Sequence, residues 1–457
     1  MKTNTATIKT YNPFNGNHLE TYTVNSKSDL QEKLAFADTT FKTWKQVEIT
    51  KRFELLQNLA NEIFKNKSEL SQLITKEMGK PILESEAEIE KCNFLIDFYI
   101  KNAVQFLQDD IIKTDAHESF ISYDPLGCIL AIMPWNYPFW QVFRFAIPTL
   151  TAGNVALLKH ASNVTGCALA IEKLFKDAGF PEGCFQTLIT DHDAIENLME
   201  DEVVKAVSLT GSEKAGRKIA ELAGKNLKSS LLELGGNNAC IILKDADLDA
   251  HIDTIVSARM QNSGQSCIAA KRFIVVEEIY DDFIQKFISK TEHLKYGNPT
   301  DKDTTISCLA REDLAETLEK QVEKSIKLGA KVVIGNKRDG AYYHPTVITD
   351  VTPEMPIFKE ETFGPVAAVI KVKSEDEAYK TASNSTFGLG TMVFTKDYKR
   401  ASKQISKIED GAFFINSMVK SDPRLPFGGT KNSGFGRELS KEGMLAFVNK
   451  KTVYINQ

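Results

Sequence analysis

Short apolar runs alternate with helix-length segments from Gly127 onward, and few folds accommodate that rhythm. Cys128–Met133, Val155–Lys159, Phe185–Thr190 and Val204–Thr210 read as buried strands, and the helical patterns between them predict a doubly wound parallel sheet. A second series, Phe273–Glu277, Val366–Val372, Thr391–Thr395 and Ala412–Ile415, predicts a second α/β domain, with the boundary near Leu234–Asn238. No Pro- or Ser-rich linker separates the halves, so they should pack around a shared cleft. Ahead of both lies a mainly helical stretch. Ser28 with Gln31 reads as a capping box for a helix carrying Leu30, Leu34, Ala37, Phe41 and Trp44 on one face. A second pattern runs through Phe53, Leu56, Ala60 and Ile63, and a third helix should stop at Gly79, with Pro81 as a breaker.

The 457 residues suffice for two or three domains. A net charge of −5 leaves no cationic excess for a phosphate backbone or an anionic membrane, so neither nucleic acid nor membrane is expected as a partner. The most apolar stretch, Cys128–Trp140, is cut by Pro134 and Pro138 and is too short to span a bilayer. Met1–Glu20 lacks the apolar core of a secretory signal, so no export is expected, and the odd number of widely spread cysteines fits a reducing cytoplasm. The seven cysteines are scattered and contain no CxxC pair, so no metal site or redox dithiol is expected.

Three polar elements stand out against this frame. Cys267 lies in a small-residue turn between a predicted helix and strand; alone, such a cysteine reads as packing. Glu233 ends an apolar strand and is followed by Leu234-Gly235-Gly236-Asn237. Asn136, in Pro134-Trp135-Asn136-Tyr137-Pro138, occupies a sharp turn directly after a strand, where ligand sites of open α/β sheets lie.

Asn136, Glu233 and Cys267 resemble, in the same order, the asparagine, glutamate and thiol motifs of the aldehyde dehydrogenase superfamily. The resemblance extends through Glu77-Met78-Gly79-Lys80-Pro81, Thr210-Gly211-Ser212 with Gly216, Glu360-Glu361-Thr362-Phe363-Gly364-Pro365, and Pro426-Phe427-Gly428-Gly429 to Ser433-Gly434-Phe435-Gly436-Arg437-Glu438. Within the superfamily the chain looks most like bacterial succinate-semialdehyde dehydrogenases. The implied fold is two doubly wound α/β domains plus a small β arm: a Rossmann-like cofactor domain at 1–107 and 126–234, a catalytic thiol domain at 235–430, and oligomerisation segments at 108–125 and 431–457.

The resemblance also implies a mechanism. Cys267 attacks the aldehyde as a thiolate, provided its pKa is lowered, and the Asn136 amide with the Cys267 N–H receives the oxyanion. Hydride leaves to the nicotinamide, and Glu233 activates the water that hydrolyses the thioester. The glutamate favours release of a free acid over transfer to coenzyme A. For NAD or NADP the implied contacts are Ile132, Pro134, Trp135, Lys159, Ser162, Gly211, Ser212, Leu234, Glu361 and Phe363. Ser162 stands where NAD-preferring members often carry a Glu that repels a 2′-phosphate, so NADP is tolerated and the preference stays open.

Arg144 matches the carboxylate-binding arginine of semialdehyde-oxidising relatives, with an internal ion pair as the alternative. A second arginine found in some relatives is Gln261 here, and Ser421 and Arg424 are the candidates to compensate. Succinate semialdehyde is therefore the expected substrate, with glutarate semialdehyde or general aliphatic aldehydes as alternatives. Phe106–Tyr123 resembles the family's protruding hairpin and Val453-Tyr454-Ile455 its final strand, which implies a homodimer or homotetramer. Two other readings are a non-catalytic protein that kept the fold, and a cofactor-free cysteine hydrolase using His160 as its base.

Overall fold

The computed structural model describes residues 6–457. Its first sheet has six strands in the order 434–435, Ser229–Glu233, Val204–Thr210, Cys128–Met133, Val155–His160, Phe185–Thr187. All neighbours are parallel except the first pair. Chain order runs outward in one direction from Cys128–Met133 and then in the other from Val204–Thr210. The crevice outside the carboxyl ends of these two strands is thus a topological switch point, where such sheets bind ligands. Register places Ile132 beside Lys159 and Leu209, and Thr210 beside Glu233.

The second sheet has seven strands, in the order Lys331–Ile334, Thr346–Thr349, Val366–Val372, Ala270–Val276, Asn238–Ile242, Thr391–Phe394, Phe413–Ile415. Only the first pair is antiparallel. Three of these strands, 238–242, 331–334 and 346–349, are absent from the sequence reading. Lys331–Ile334 is a half-exposed edge segment that pairs only with Thr346–Thr349, whereas Thr346–Thr349 is a short, buried strand paired on both sides.

Helices Lys27–Trp44, Ile49–Lys65, Lys67–Met78 and Ile82–Leu107 cover the first sheet. The first helix buries Leu30, Leu34, Ala37 and Trp44, and the Trp44 indole N–H donates to Leu150 O (3.2 Å). Its capping box is not Ser28 with Gln31. Ser26 Oγ accepts from Asp29 N (3.2 Å), and Asp29 Oδ2 accepts from Ser26 N (2.7 Å). The entry is set two residues earlier because Asn25 is tied to Ile189, its backbone N–H donating to Ile189 O (2.7 Å) and its Oδ1 accepting from Ile189 N (2.8 Å), leaving the Ser28 hydroxyl to bond only Ser26 Oγ. The third helix ends before Gly79.

The segment taken as a hairpin from Phe106 is helical to Leu107, and the arm proper is Asp110–Ile111 and Glu118–Pro125. Val448–Ile455 pairs antiparallel with Glu118–Pro125 over its whole length, giving a three-stranded sheet within one chain. Residues 434–435, assigned from sequence to the arm segment, instead extend the first sheet against Leu232 and Glu233. No helix among the described residues is long and apolar enough to cross a membrane.

Candidate active site

Cys267 is the one cysteine of the seven that is not buried, and it lines a cavity of about 250 Å³ between the two sheets. The turn leading to it is strained: Asn262 and Ser263 both hold positive φ (55° and 51°), a cost of about 1–3 kcal/mol each. Surrounding groups over-determine the conformation. Asn262 donates from Nδ2 to Asn136 O (2.8 Å) and from its backbone to Glu84 Oε2 (2.8 Å), while Ser263 Oγ donates to Ser307 O (3.0 Å). Gly264 follows at φ 75°, where a β-carbon would stand 2.3 Å from Gly364 O. Arg259 fastens this approach by donating to Gly264 O and Gly364 O (both 2.6 Å) and Ala270 O (3.0 Å), so it braces the loop and does not face the cavity.

The thiol differs from its expected state. Burial pushes Cys267 up to about 11, with Lys271 and Arg144 pulling it down and Glu361 and Glu233 adding to the rise. Lys271 spends its donors on Cys267 O (2.7 Å), Ser266 O (2.8 Å) and Glu361 Oε1 (3.0 Å), so it supports the thiol's backbone. A lowered pKa is therefore not built into the resting chain.

Asn136 is held edge-on. One Nδ2 hydrogen goes to Gln265 O (3.0 Å), and Oδ1 accepts from Gln141 Nε2 (3.0 Å), leaving the second Nδ2 hydrogen without a partner among the described residues. Glu233 is fully enclosed and faces Glu438. Burial first, and then Glu438, raise its carboxyl well above the usual range, against the pull of Arg144 and Arg437. Neither of its oxygens has a hydrogen-bond partner among the described residues.

Lys159 is buried at the switch point with no carboxylate within ion-pair distance among the described residues. Ser162 is exposed three residues on, and Ser212 caps the helix Glu213–Lys225 by accepting from Ala215 N (3.3 Å). A β-carbon on Gly216 would meet Leu234 Cδ1 at 2.4 Å, so that helix lies close against Leu234. The Trp135 and Phe363 rings meet edge to face at 5.7 Å. Ile132, Pro134 and Gly211 end the two switch-point strands. A buried unpaired cation beside an open helix N-terminus fits a dinucleotide's phosphates and ribose. Glu361, expected on the ribose, accepts from Gly236 N (3.0 Å) as well as from Lys271.

His160 is no base for the thiol. Its Nε2–H donates to Pro138 O (2.9 Å), its Nδ1 accepts from Ala161 N (3.0 Å), and burial lowers it to about 4, so it locks the Pro134–Pro138 turn as a neutral ring.

The expected substrate residues divide. Arg144, Gln261 and Ser421 line the cavity with Cys267. Arg144 Nε is paired with Glu438 (2.5 Å), Nη2 donates to Thr210 Oγ1 (3.3 Å), and the guanidinium lies over Phe427, so its charge is already matched. Arg424 lies outside the cavity lining and does not replace a clamp: it is largely exposed and gripped by Asp422 (2.6 Å), its near neighbour in sequence.

Sequence reasoning missed the face of helix Ile82–Leu107 that forms the other wall: Glu84, Ala87, Glu88 and Lys91. Their spacing of three and four, on a stripe that flanks the buried apolar face of the helix, was the available signal. Glu88 pairs with Lys80 and accepts from Phe139 N (2.9 Å) and Trp140 N (3.0 Å), anchoring the first turn of Trp140–Thr151. Burial raises Glu84 to about 7, with Lys80 opposing.

A model of the aldehyde dehydrogenase family matches residues 1–453. The chain is 47% identical over 451 residues to a probable succinate-semialdehyde dehydrogenase [NADP(+)] of Synechocystis sp., covering 98% of this chain and 99% of that one. It is 42% identical to the succinate semialdehyde dehydrogenase [NAD(P)+] Sad of Escherichia coli, covering 97% and 96%. Among solved structures, the succinic semialdehyde dehydrogenase of Streptococcus pyogenes in complex with NADP+ superposes with a TM-score of 0.96 at 36% identity, covering 98% of this chain and all of that one.

Proposed function

The chain belongs to the aldehyde dehydrogenase family, and from that premise we propose that it oxidises succinate semialdehyde to succinate with NADP+, accepting NAD+ less readily. That the enzyme is an NAD(P)-dependent aldehyde dehydrogenase follows from the family. The observation that carries the finer reading is a single cavity holding the thiol, Arg144, Gln261 and Ser421 together. Such a lining suits an aldehyde whose other end is anionic and small. Ser162, an exposed hydroxyl near Lys159 where a carboxylate would repel a 2′-phosphate, supports NADP+.

In this reading Cys267 adds to the aldehyde carbon and forms a thiohemiacetal. Its oxygen meets the uncommitted Nδ2 hydrogen of Asn136, a donor typically worth about 3 kcal/mol in the transition state. Lys159, Ser212 and the Trp135–Phe363 pair would hold the dinucleotide, which when bound would supply the hydride acceptor. Glu233 then takes a proton from the water that attacks the thioester. It must first turn from Glu438 toward the sulfur, because burial and Glu438 disfavour its carboxylate at rest. The arm sheet, with Ile111 and Tyr454 exposed along it, is the proposed surface for a homodimer or homotetramer.

The test is the formation of NADPH and NADH with succinate semialdehyde against butanal. A kcat/KM at least about tenfold higher for the semialdehyde, with NADP+ turned over efficiently, is the expected result. Equal use of both aldehydes would discard the substrate, and failure with NADP+ would discard the reading of Ser162. Cys267→Ala should abolish reduction of the cofactor, while Glu233→Gln should leave a burst followed by slow turnover.

A further inference from the structure

Three cations line the cavity that holds Cys267, and only one lacks both a counter-ion and full access to water. Arg144 is paired with Glu438, and Lys420 is exposed to solvent. Lys91 is partly buried and has no carboxylate within ion-pair distance among the described residues. Glu88, one turn back on the same helix, is committed to Lys80 and to two backbone N–H groups. Holding an uncompensated ammonium away from water is costly unless an anion comes to it.

The surroundings of Lys91 are built from donors. Its Nζ donates to Ser421 Oγ (2.9 Å) and lies 4.0 Å above the centre of the Trp140 ring. Trp140 Nε1 also donates to Ser421 Oγ (2.9 Å). Two N–H groups thus occupy both lone pairs of that hydroxyl, and its hydrogen has no acceptor among the described residues. Lys91 likewise retains at least one N–H without a partner. A hydroxyl hydrogen and an ammonium hydrogen, side by side on one cavity wall, form a pair of donors that only an acceptor can satisfy.

We propose that Lys91 and Ser421 together receive the distal carboxylate of the substrate, with Lys91 as the charge that selects an anionic aldehyde over a neutral one. The proposal rests on the succinate-semialdehyde reading and deepens it. Arg144 then contributes through the positive end of an internally balanced pair, and the missing second arginine at Gln261 is replaced by a lysine from a different helix. A carboxylate bound this way receives two charge-assisted or oriented hydrogen bonds, one to each oxygen.

The experiment reads the ratio of kcat/KM for succinate semialdehyde to that for butanal. In Lys91→Met this ratio should fall by about 10- to 100-fold, and Lys91→Arg should restore it to within about fivefold of the native value. The native enzyme offers a reading that needs no variant. Burial and Arg144 pull Lys91 down to about 8, against smaller upward contributions from Cys92 and Glu88 on its own helix and Asp422 on the facing loop. Glu84, two turns back on that helix, is raised to about 7, so its ionisation overlaps the onset of that of Lys91 and is largely complete above about pH 8, where the fall is read. The native ratio should therefore fall about tenfold per pH unit above roughly 8, as the ammonium loses its proton. An unchanged ratio in soluble Lys91→Met, or a native ratio flat from about pH 7 to 10, overturns the role of Lys91 while leaving the substrate intact. A native enzyme with no preference at neutral pH overturns the substrate reading and this proposal with it.

Discussion

At the residue scale, the chemistry turns on groups whose resting protonation is the wrong one. Burial pushes the Cys267 thiol up to about 11, and burial with Glu438 raises the Glu233 carboxyl well above the usual carboxylate range. In the proposed mechanism each needs the loaded site to change its environment, which would keep Cys267 quiet until substrate and cofactor are in place. The free enzyme should accordingly be alkylated slowly by iodoacetamide at pH 7, with the rate at Cys267 rising about tenfold per pH unit up to at least pH 9. A plateau below pH 8 would mean that the thiolate is stabilised without cofactor. Residue identities at this scale were readable: Asn136, Glu233 and Cys267 stand out by their motifs. Their charge states were not, because desolvation depends on what the second sheet and the 426–438 loop lay over them.

At the scale of elements, the site is positioned by short segments held in place from elsewhere. The turn 262–264 keeps three successive residues at positive φ because Asn136, Glu84, Ser307 and Gly364 each fasten one of its polar groups or fill its space. The Pro134–Pro138 turn is locked by His160, and the helix after it by Glu88. The first helix illustrates how local patterns mislead. Two Ser-x-x-acceptor readings overlap at Ser26 and Ser28, and the tether from Asn25 to Ile189 decides for Ser26. Ser26→Ala should cost about 1 kcal/mol of stability, whereas Ser28→Ala should cost under about 0.5 kcal/mol, as read from urea unfolding midpoints. The reverse order would restore the cap at Ser28.

At the scale of the whole molecule, the two sheets meet so that the switch-point crevice of the first opens toward the turn that carries Cys267 in the second. The arm is built from both ends of this arrangement: Glu118–Pro125 leaves the cofactor half, and Val448–Ile455 returns to it after the second sheet is complete. Its outer edge is unpaired within the chain. If the arm sheet forms the proposed interface, the full chain should run as a dimer or tetramer by light scattering and the chain lacking residues 448–457 as a monomer; an unchanged mass would place the interface elsewhere. The apolar runs Cys128–Met133, Val204–Thr210 and Val366–Val372 were legible as strands to the residue, since continuous burial on both faces writes itself into composition. Strands 331–334 and 346–349 were not: the first is a half-exposed edge that owes its state to a partner, and the second, although buried, is a run of only four residues. The sequence by itself determined the family, the order of the reacting residues and the alternating α/β plan, all of which depend on local pattern and motif. Only the tertiary structure decided that Arg144 is matched by Glu438, that Arg424 is gripped by Asp422 outside the cavity, and that Lys91, from a helix more than a hundred residues before the thiol, lines the cavity with Cys267. Ion pairing and burial arise between segments far apart in the chain, and no spacing along it records them.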